Sequence, residues 1–162
     1  MWLSRRGFVL AGLLVAGCGF RPAHAPGGPG AALRGQVRVD DPDDARSFAF
    51  VAAIEDRLGR PQAPRYRLTH RISVSESGGA RVRRLGDTRF QVFGRVRFAL
   101  RDSATDAEIY SGEARNFTAY SATSTQLATL AAQEDAERRL MRSLADQVVT
   151  RLLAVSLDDR PA

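Results

Sequence analysis

The stretch that decides the fold is residues 89–101, which read RFQVFGRVRFALR. Apolar or small residues occupy every second position, and arginine dominates the positions between them. This period of two indicates a β-strand with one buried and one solvated face, as in an antiparallel sheet that is covered on one side. The apolar face comprises Phe90, Val92, Gly94, Val96, Phe98 and Leu100, and the other face comprises Arg89, Gln91, Phe93, Arg95, Arg97 and Arg101.

Patterns with the same period lie on both sides of this stretch. The predicted strands are residues 33–39, 65–74, 81–85, 89–101 and 109–120. Ser77-Gly78-Gly79 is expected to turn the chain before the short strand at 81–85. In the strand at 65–74, Arg65, Arg67 and Arg71 lie opposite the apolar side chains. These arginines are therefore expected to broaden the cationic face of the central strand.

Two further stretches have the period of an amphipathic helix. The first is expected to begin at Asp41-Pro42, where the aspartate would cap free amides, and to end at Gly59. The second is expected to run from about Ser124 to Val155, with small residues in its middle that would let it approach the sheet closely. The order of elements predicts an α+β two-layer sandwich, with two helices packed on one face of a four- to five-stranded, mostly antiparallel sheet.

The N-terminal segment has the pattern of a bacterial lipoprotein signal. Arg5 and Arg6 precede an apolar run at residues 7–15, which is too short to span a bilayer as a helix. Ala16-Gly17 then supplies small residues before Cys18, the only cysteine of the chain. Cleavage before Cys18 would allow its thiol to be acylated, and acyl chains anchor a protein to a membrane. The alternative is an ordinary secretory signal that is followed by an incidental cysteine.

This pattern divides the chain into four predicted parts. They are a signal peptide at 1–17, a lipidated N-terminus with a flexible tether at 18–31, a folded domain at 32–157 and a tail at 158–162. The tether follows from the proline and glycine content of its sequence. Ser4-Arg5-Arg6-Gly7-Phe8 also resembles the start of a twin-arginine signal, so export of a folded domain remains open beside ordinary secretion.

The positive charge is concentrated in the strand block. The chain has a net charge of +6, and all of its 24 Lys and Arg residues are arginine. Residues 65–101 contain ten arginines and two acids, which gives 10 − 2 = +8. Candidate ligands for such a surface are phosphorylated lipid head groups, an acidic protein surface or nucleic acid, and export disfavours nucleic acid. The alternative is an ordinary solvated sheet face.

The sequence offers no set of residues typical of catalysis or metal binding. His24 lies in the tether, and His70 is expected on the apolar face of a strand as a core or rim histidine. Glu134, Asp135 and Glu137 neighbour arginines, which favours a solvated, salt-bridged helix face. We therefore expect no enzyme activity, no metal and no cofactor.

Several segments, taken in their order along the chain, carry a family resemblance. They are Leu14-Val15-Ala16-Gly17-Cys18-Gly19-Phe20-Arg21-Pro22, Leu58-Gly59-Arg60-Pro61, Tyr66-Arg67-Leu68, Phe117-Thr118-Ala119-Tyr120-Ser121, the segment AAQEDAERRL at residues 131–140, Ala145-Asp146-Gln147 and Arg151-Leu152-Leu153-Ala154. Together they resemble the lipopolysaccharide-assembly lipoproteins of the LptE family, in particular their alphaproteobacterial branch. The resemblance covers nearly the whole chain after Cys18, and its specificity comes from the combination of segments.

The resemblance implies a non-enzymatic lipoprotein, anchored in the outer membrane through acylated Cys18 and facing the periplasm. Its expected partners are an LptD-like outer-membrane β-barrel, which it would plug and help to assemble, and lipopolysaccharide, which the two proteins would deliver to the outer leaflet. Basic residues bind lipopolysaccharide in this family, and charge and spacing favour Arg89, Arg95, Arg97 and Arg101 here. The alternatives are an auxiliary lipoprotein of a lipid-trafficking ABC transporter and a purely structural lipoprotein.

Overall fold

A computed structural model describes residues 29–82, 86–122 and 125–155, without the side chains of residues 29 and 79–88. Its elements are α1 (Pro29–Leu33), β1 (Val37–Val39), α2 (Ala45–Leu58), β2 (Tyr66–Val82), β3 (Gly86–Asp102), β4 (Glu108–Ser121) and α3 (Gln126–Leu153). The predicted signal peptide, Cys18, the first part of the tether and the predicted tail lie outside the described residues.

The four strands form one sheet in the order β1-β2-β3-β4. β1 pairs with β2 in parallel over three residues, whereas β2 with β3 and β3 with β4 are antiparallel. α2 connects the two parallel strands, as such a pairing requires a crossover. The architecture is the predicted α+β fold with a mostly antiparallel sheet.

The core lies between the sheet and the two long helices, α2 and α3. Its members from β3 include Val92, Val96 and Leu100, each 1% exposed or less. α3 comes so close to the sheet that a Cβ atom on Gly94 would lie 2.8 Å from Leu144 Cδ1. The helix side chains at this point are Leu140 and Leu144, so the space for the close approach comes from the glycine on β3 and not from a small residue of α3.

The start of α2 differs from the sequence prediction. Asp44, rather than Asp41, is the N-cap, and its side chain accepts a hydrogen bond of 2.6 Å from the backbone N–H of Ser47. The Ser47 hydroxyl accepts in return from the backbone N–H of Asp44 at 2.9 Å, which completes a capping box. Ser47 is the third helical residue and completes the capping box from within the helix, whereas the prediction placed the cap at Asp41 and gave Asp44 only a favourable charge near the N-terminus.

Two other segments also differ from the prediction. Residues 29–33 form helix α1, where the tether and the first strand were expected to meet; Leu33 is fully buried and Gly35, at φ 66°, ends the turn. β2 is continuous from Tyr66 to Val82, so the predicted turn at 77–79 is wrong and the sheet has four strands. Register shifts between Gly78 and Arg81 take up the irregularity instead, as a bulge does.

Among the helices of the described residues, none combines the length and apolarity that a bilayer span requires.

Candidate functional site

The face of the sheet opposite α2 and α3, called here the open face, contains the arginines that the sequence singles out. Arg95 and Arg97 flank Val96, which is fully buried against the helices, so their side chains point away from the core. The Arg95 and Arg97 side chains are 43% and 67% exposed. The register places Arg71 of β2 directly opposite Arg97, so arginines of two strands meet there as predicted.

Glu113 of β4 joins three arginines of the open face. Its carboxylate accepts a hydrogen bond of 3.1 Å from Arg97 Nε and another from Arg115 Nε, and Arg95 Nε lies 3.6 Å away. The hydrogen bonds from Arg115 and Arg97 lower the pKa of Glu113, so this carboxyl stays ionised. We call these four residues the arginine cluster. Three guanidinium groups share one carboxylate, 3 − 1 = +2, so the cluster can attract an anion.

The other two predicted site residues lie outside this cluster. Arg101 forms ion pairs with Asp106 at 3.3 Å and with Glu108 at 3.5 Å, and its side chain is only 34% exposed. Arg89 lies opposite Ser121, six residue pairs along the ladder from Arg95. The structure therefore brings Arg95 and Arg97 together, places Arg89 further along the same face and neutralises Arg101.

An aromatic pair lies beside the arginine cluster on the open face. Phe93 of β3 is directly opposite Phe117 of β4, and their ring centroids are 6.0 Å apart. Phe93 is 41% exposed and Phe117 is 61% exposed. Large aromatic side chains usually contribute their area to a core, so a pair in water marks a surface available for contact.

Sequence reasoning missed three members of this site, Glu113, Arg115 and Phe117. The pattern of β4 is weak because Gly112 interrupts it and its apolar positions include small residues such as Ala114. Alternation counted outward from Ala114 would have placed Glu113 and Arg115 on the polar face.

Helix α3 fixes the position of β4 at this site. Gln147 Nε2 donates to the backbone carbonyl of Arg115 at 3.2 Å, and Arg151 donates to the backbone carbonyl of Glu113. The Asn116 side-chain amide also donates to Ser143 of α3. The first two bonds occupy backbone carbonyl groups at the outer edge of the last strand, which would otherwise be unpaired. They therefore hold the strand that carries half of the arginine cluster.

His70 lies apart from the open face, on the core side of β2. Its ring is 5.3 Å from that of Phe50, and its Nδ1 atom has no hydrogen-bond partner within the described part of the chain. Burial lowers the pKa of His70, which keeps the imidazole neutral. Across residues 29–82, 86–122 and 125–155, no group of three or more His, Cys, Asp or Glu side chains could hold a metal ion.

Solved structures of bacterial lipoproteins share this fold. A lipoprotein from Caulobacter crescentus has 21% identity and a TM-score of 0.64, over 78% of this chain and 93% of that one. The rare lipoprotein B of Shewanella oneidensis has 12% identity and a TM-score of 0.56, over 74% and 92% of the two chains. A minor lipoprotein of Acinetobacter baumannii has 13% identity and a TM-score of 0.52, over 73% and 88%. At these identities the likeness concerns the fold alone.

The family comparison covers most of the chain. No curated protein sequence matches the chain. The model of the lipopolysaccharide-assembly family LptE matches residues 34–152, which contain β1 to β4, α2 and nearly all of α3. The match includes the whole arginine cluster and the aromatic pair. The chain therefore belongs to the LptE family of lipopolysaccharide-assembly proteins.

Proposed function

We propose that this protein is the lipoprotein subunit of an outer-membrane lipopolysaccharide translocon, and that its open face binds lipopolysaccharide. Proteins of the LptE family are outer-membrane lipoproteins that act in lipopolysaccharide assembly, so the general role follows from membership. The family also favours this role over that of an auxiliary lipoprotein of a lipid-trafficking transporter or of a purely structural lipoprotein.

The observation that carries the binding proposal is the arginine cluster. Arg95, Arg97 and Arg115 converge on the single carboxylate of Glu113, and all three guanidinium groups remain partly in water. Lipopolysaccharide is an amphipathic anion, and guanidinium groups bind phosphate and carboxylate through paired hydrogen bonds. Arg89 would extend the surface along β3. Arg101, bonded to Asp106 and Glu108, would contribute less.

Charge reversal at the cluster tests this proposal. We expect Arg95→Glu with Arg97→Glu to weaken the binding of purified lipopolysaccharide by the full-length chain in detergent at least about tenfold, because two attractive charges become repulsive. Arg138→Glu with Arg139→Glu is the matched control, since it makes the same change in net charge on α3. Equal affinity of the cluster variant and the control, with both variants folded, would remove the cluster from the account.

A second part of the proposal concerns association with an outer-membrane β-barrel protein. The protein would sit within an LptD-like outer-membrane β-barrel and assist its assembly, while acylated Cys18 holds the chain at the periplasmic side of the membrane. The tagged full-length chain should then co-purify with a barrel protein from solubilised outer membranes, and its depletion should lower surface lipopolysaccharide. Isolation of the chain without any barrel, under conditions that preserve other outer-membrane complexes, would contradict this part.

The anchor is tested separately from the barrel. Cys18→Ala should abolish incorporation of labelled palmitate and release the chain from the membrane fraction, since the cysteine is the only one available for acylation. Labelled palmitate on the Cys18→Ala variant would place the anchor elsewhere. We also propose that the protein has no catalytic role, so binding and assembly are its whole contribution to transport.

A further inference from the structure

The aromatic pair has neighbours that suit one kind of ligand. The next pair of side chains on the same face is Arg95 and Arg115, which lie directly opposite each other, two residues along the strands from Phe93 and Phe117. Two residues of a strand span about 7 Å, so the two rows lie next to each other. We call Arg95 and Arg115 the arginine pair. The open face thus presents two aromatic rings beside two guanidinium groups.

Hydroxyl groups complete the surroundings on the side of β2. Ser75 lies directly opposite Phe93, and Ser73 lies directly opposite Arg95. We call Ser73 and Ser75 the serine pair. A depression of about 330 Å³ opens on the β2 side of Phe93, and it is lined by Ser73, Val74, Ser75, Phe93, Gly94, Arg95 and Arg115. Phe117 is not part of this lining, and its ring lies 6.0 Å from that of Phe93. Its volume lies at the lower end of the range of roughly 300–1,000 Å³ typical of small-molecule sites.

The arrangement of Glu113 indicates which anion fits the arginine pair. The same oxygen of its carboxylate lies 3.6 Å from Arg95 Nε and accepts a hydrogen bond from Arg115 Nε. The spacing of the two guanidinium groups therefore already accommodates a carboxylate, and a guanidinium fork can bind a second one through its remaining N–H groups.

The width of the apolar surface argues against an acyl chain as the occupant. The row on the other side of the aromatic pair consists of Ser77, Gln91 and Ala119. The apolar surface is thus a single row between two rows that are polar or small. A linear acyl chain would leave most of its methylene groups in water there, whereas a sugar ring needs only one face covered.

We propose that this depression binds an acidic sugar, a pyranose ring that carries a carboxylate. The ring stacks on Phe93, which Phe117 supports from β4, while its carboxylate bonds the arginine pair and its hydroxyl groups bond the serine pair. This inference rests on the proposed function and deepens it, because it assigns the open face to the saccharide part of lipopolysaccharide rather than to its acyl chains.

Three small probes test the proposal on the unaltered full-length chain in detergent micelles. D-galacturonate has both the ring and the carboxylate, D-galactose has the ring alone and acetate has the carboxylate alone. In saturation-transfer NMR titrations we expect D-galacturonate to bind about tenfold more tightly than either fragment, since the charged hydrogen bonds add to the ring contact. Equal binding of D-galacturonate and D-galactose, equal binding of D-galacturonate and acetate, or no binding of D-galacturonate would overturn the proposal.

Variants locate the sugar on the molecule. Phe93→Ala with Phe117→Ala should abolish saturation transfer to the ring protons of D-galacturonate, while Phe93→Tyr, which keeps an aromatic face, should retain it. Phe48→Ala is the matched control, because Phe48 is 65% exposed but belongs to α2. Transfer that survives in the double alanine variant would contradict the assignment, whether or not that variant unfolds, because it would show binding without the aromatic pair.

A second comparison separates this inference from the proposed function. We expect the full-length chain to bind lipopolysaccharide with its core sugars more tightly than lipid A without them, and the double alanine variant to lose that difference. Equal affinity for the two molecules in the unaltered chain would overturn the sugar site but leave lipopolysaccharide binding intact. Absence of binding to both molecules would instead reject the proposed function.

Discussion

The two faces of β3 differ sharply although they alternate along one stretch of chain. Toward the helices, Val92 and Val96 are at most 1% exposed and pack in the core. Away from the helices, Phe93 is 41% exposed and the Arg97 side chain is 67% exposed. One strand thus contributes packing from every second residue and an accessible surface from the others.

This difference between the two faces predicts which substitutions should alter stability and which should alter binding. A buried side chain of β3 contacts the helices, so its removal leaves a cavity that the fold cannot fill. An exposed side chain on the open face contacts mainly water and its neighbours in the ladder, so its removal costs little stability. Each prediction below tests one side of this division.

The largest effect is expected for truncation of a core aromatic. Phe98 is 3% exposed and its ring centroid lies 5.9 Å from that of Tyr110. Phe98→Ala should lower the free energy of unfolding by about 3–5 kcal/mol, measured by urea denaturation of the full-length chain. A loss below about 1 kcal/mol, the range of a surface site, would mean that this face of β3 is not the core face.

A smaller loss is expected where the helix approaches the sheet. A methyl group at Gly94 would meet Leu144 Cδ1 at 2.8 Å and Leu140 Cδ2 at 2.9 Å, so the leucine side chains must shift. Gly94→Ala should cost about 1–3 kcal/mol of unfolding free energy. In a double-mutant cycle, Leu144→Ala should remove part of that cost, because it relieves one of the two leucine contacts and leaves Leu140 in place. Strict additivity of the two changes would contradict the close approach.

The pH dependence of the free energy of unfolding tests whether His70 is buried on the core side of β2. Burial holds its pKa below the usual 6.5, although Asp40, Asp43 and Asp44 oppose the shift. As pH falls below about 6.5 the unfolded chain takes up the proton first, so the contribution of His70 to stability is present above that pH and lost below it. His70→Leu should reduce the loss of stability between about pH 7 and 5, and an unchanged pH profile would exclude His70 as a source of that loss.

The smallest effect on stability is expected on the open face. Arg97→Ala should change the free energy of unfolding by no more than about 0.5 kcal/mol, because the side chain is 67% exposed and exposed ion pairs contribute little. The same urea denaturation that detects Phe98→Ala measures it. A loss as large as that of a core variant would mean that the arginine cluster is part of the scaffold.

The strand at 89–101 could be predicted from the sequence because every second side chain is buried and the period is therefore visible. The two long helices could be predicted for the same reason, from the spacing of their buried residues. α1 could not, because it is only five residues long and is held by burial of Leu33 against the rest of the fold. The continuity of β2 past Gly78 depends on pairing with β3, which a local turn signal does not reflect.

The candidate site could be predicted only in part. Arg95 and Arg97 follow from the alternation of β3, but their convergence on Glu113 depends on the register between β3 and β4. The ion pairs that neutralise Arg101 also depend on the tertiary structure, because Asp106 and Glu108 come from the following turn and strand. Sequence patterns give the face of a residue, whereas partners across strands require the fold.

The claim that the open face, and not the helix layer, binds lipopolysaccharide is tested most directly by site-specific photo-crosslinking in growing cells. A photoreactive residue in place of Arg97 or Phe117 reports on the open face, and one in place of Phe48 or Arg138 reports on the helices. We predict lipopolysaccharide adducts from the first two positions and none from the other two. Adducts that form equally from both layers, or only from the helices, would contradict the claim that the open face binds lipopolysaccharide.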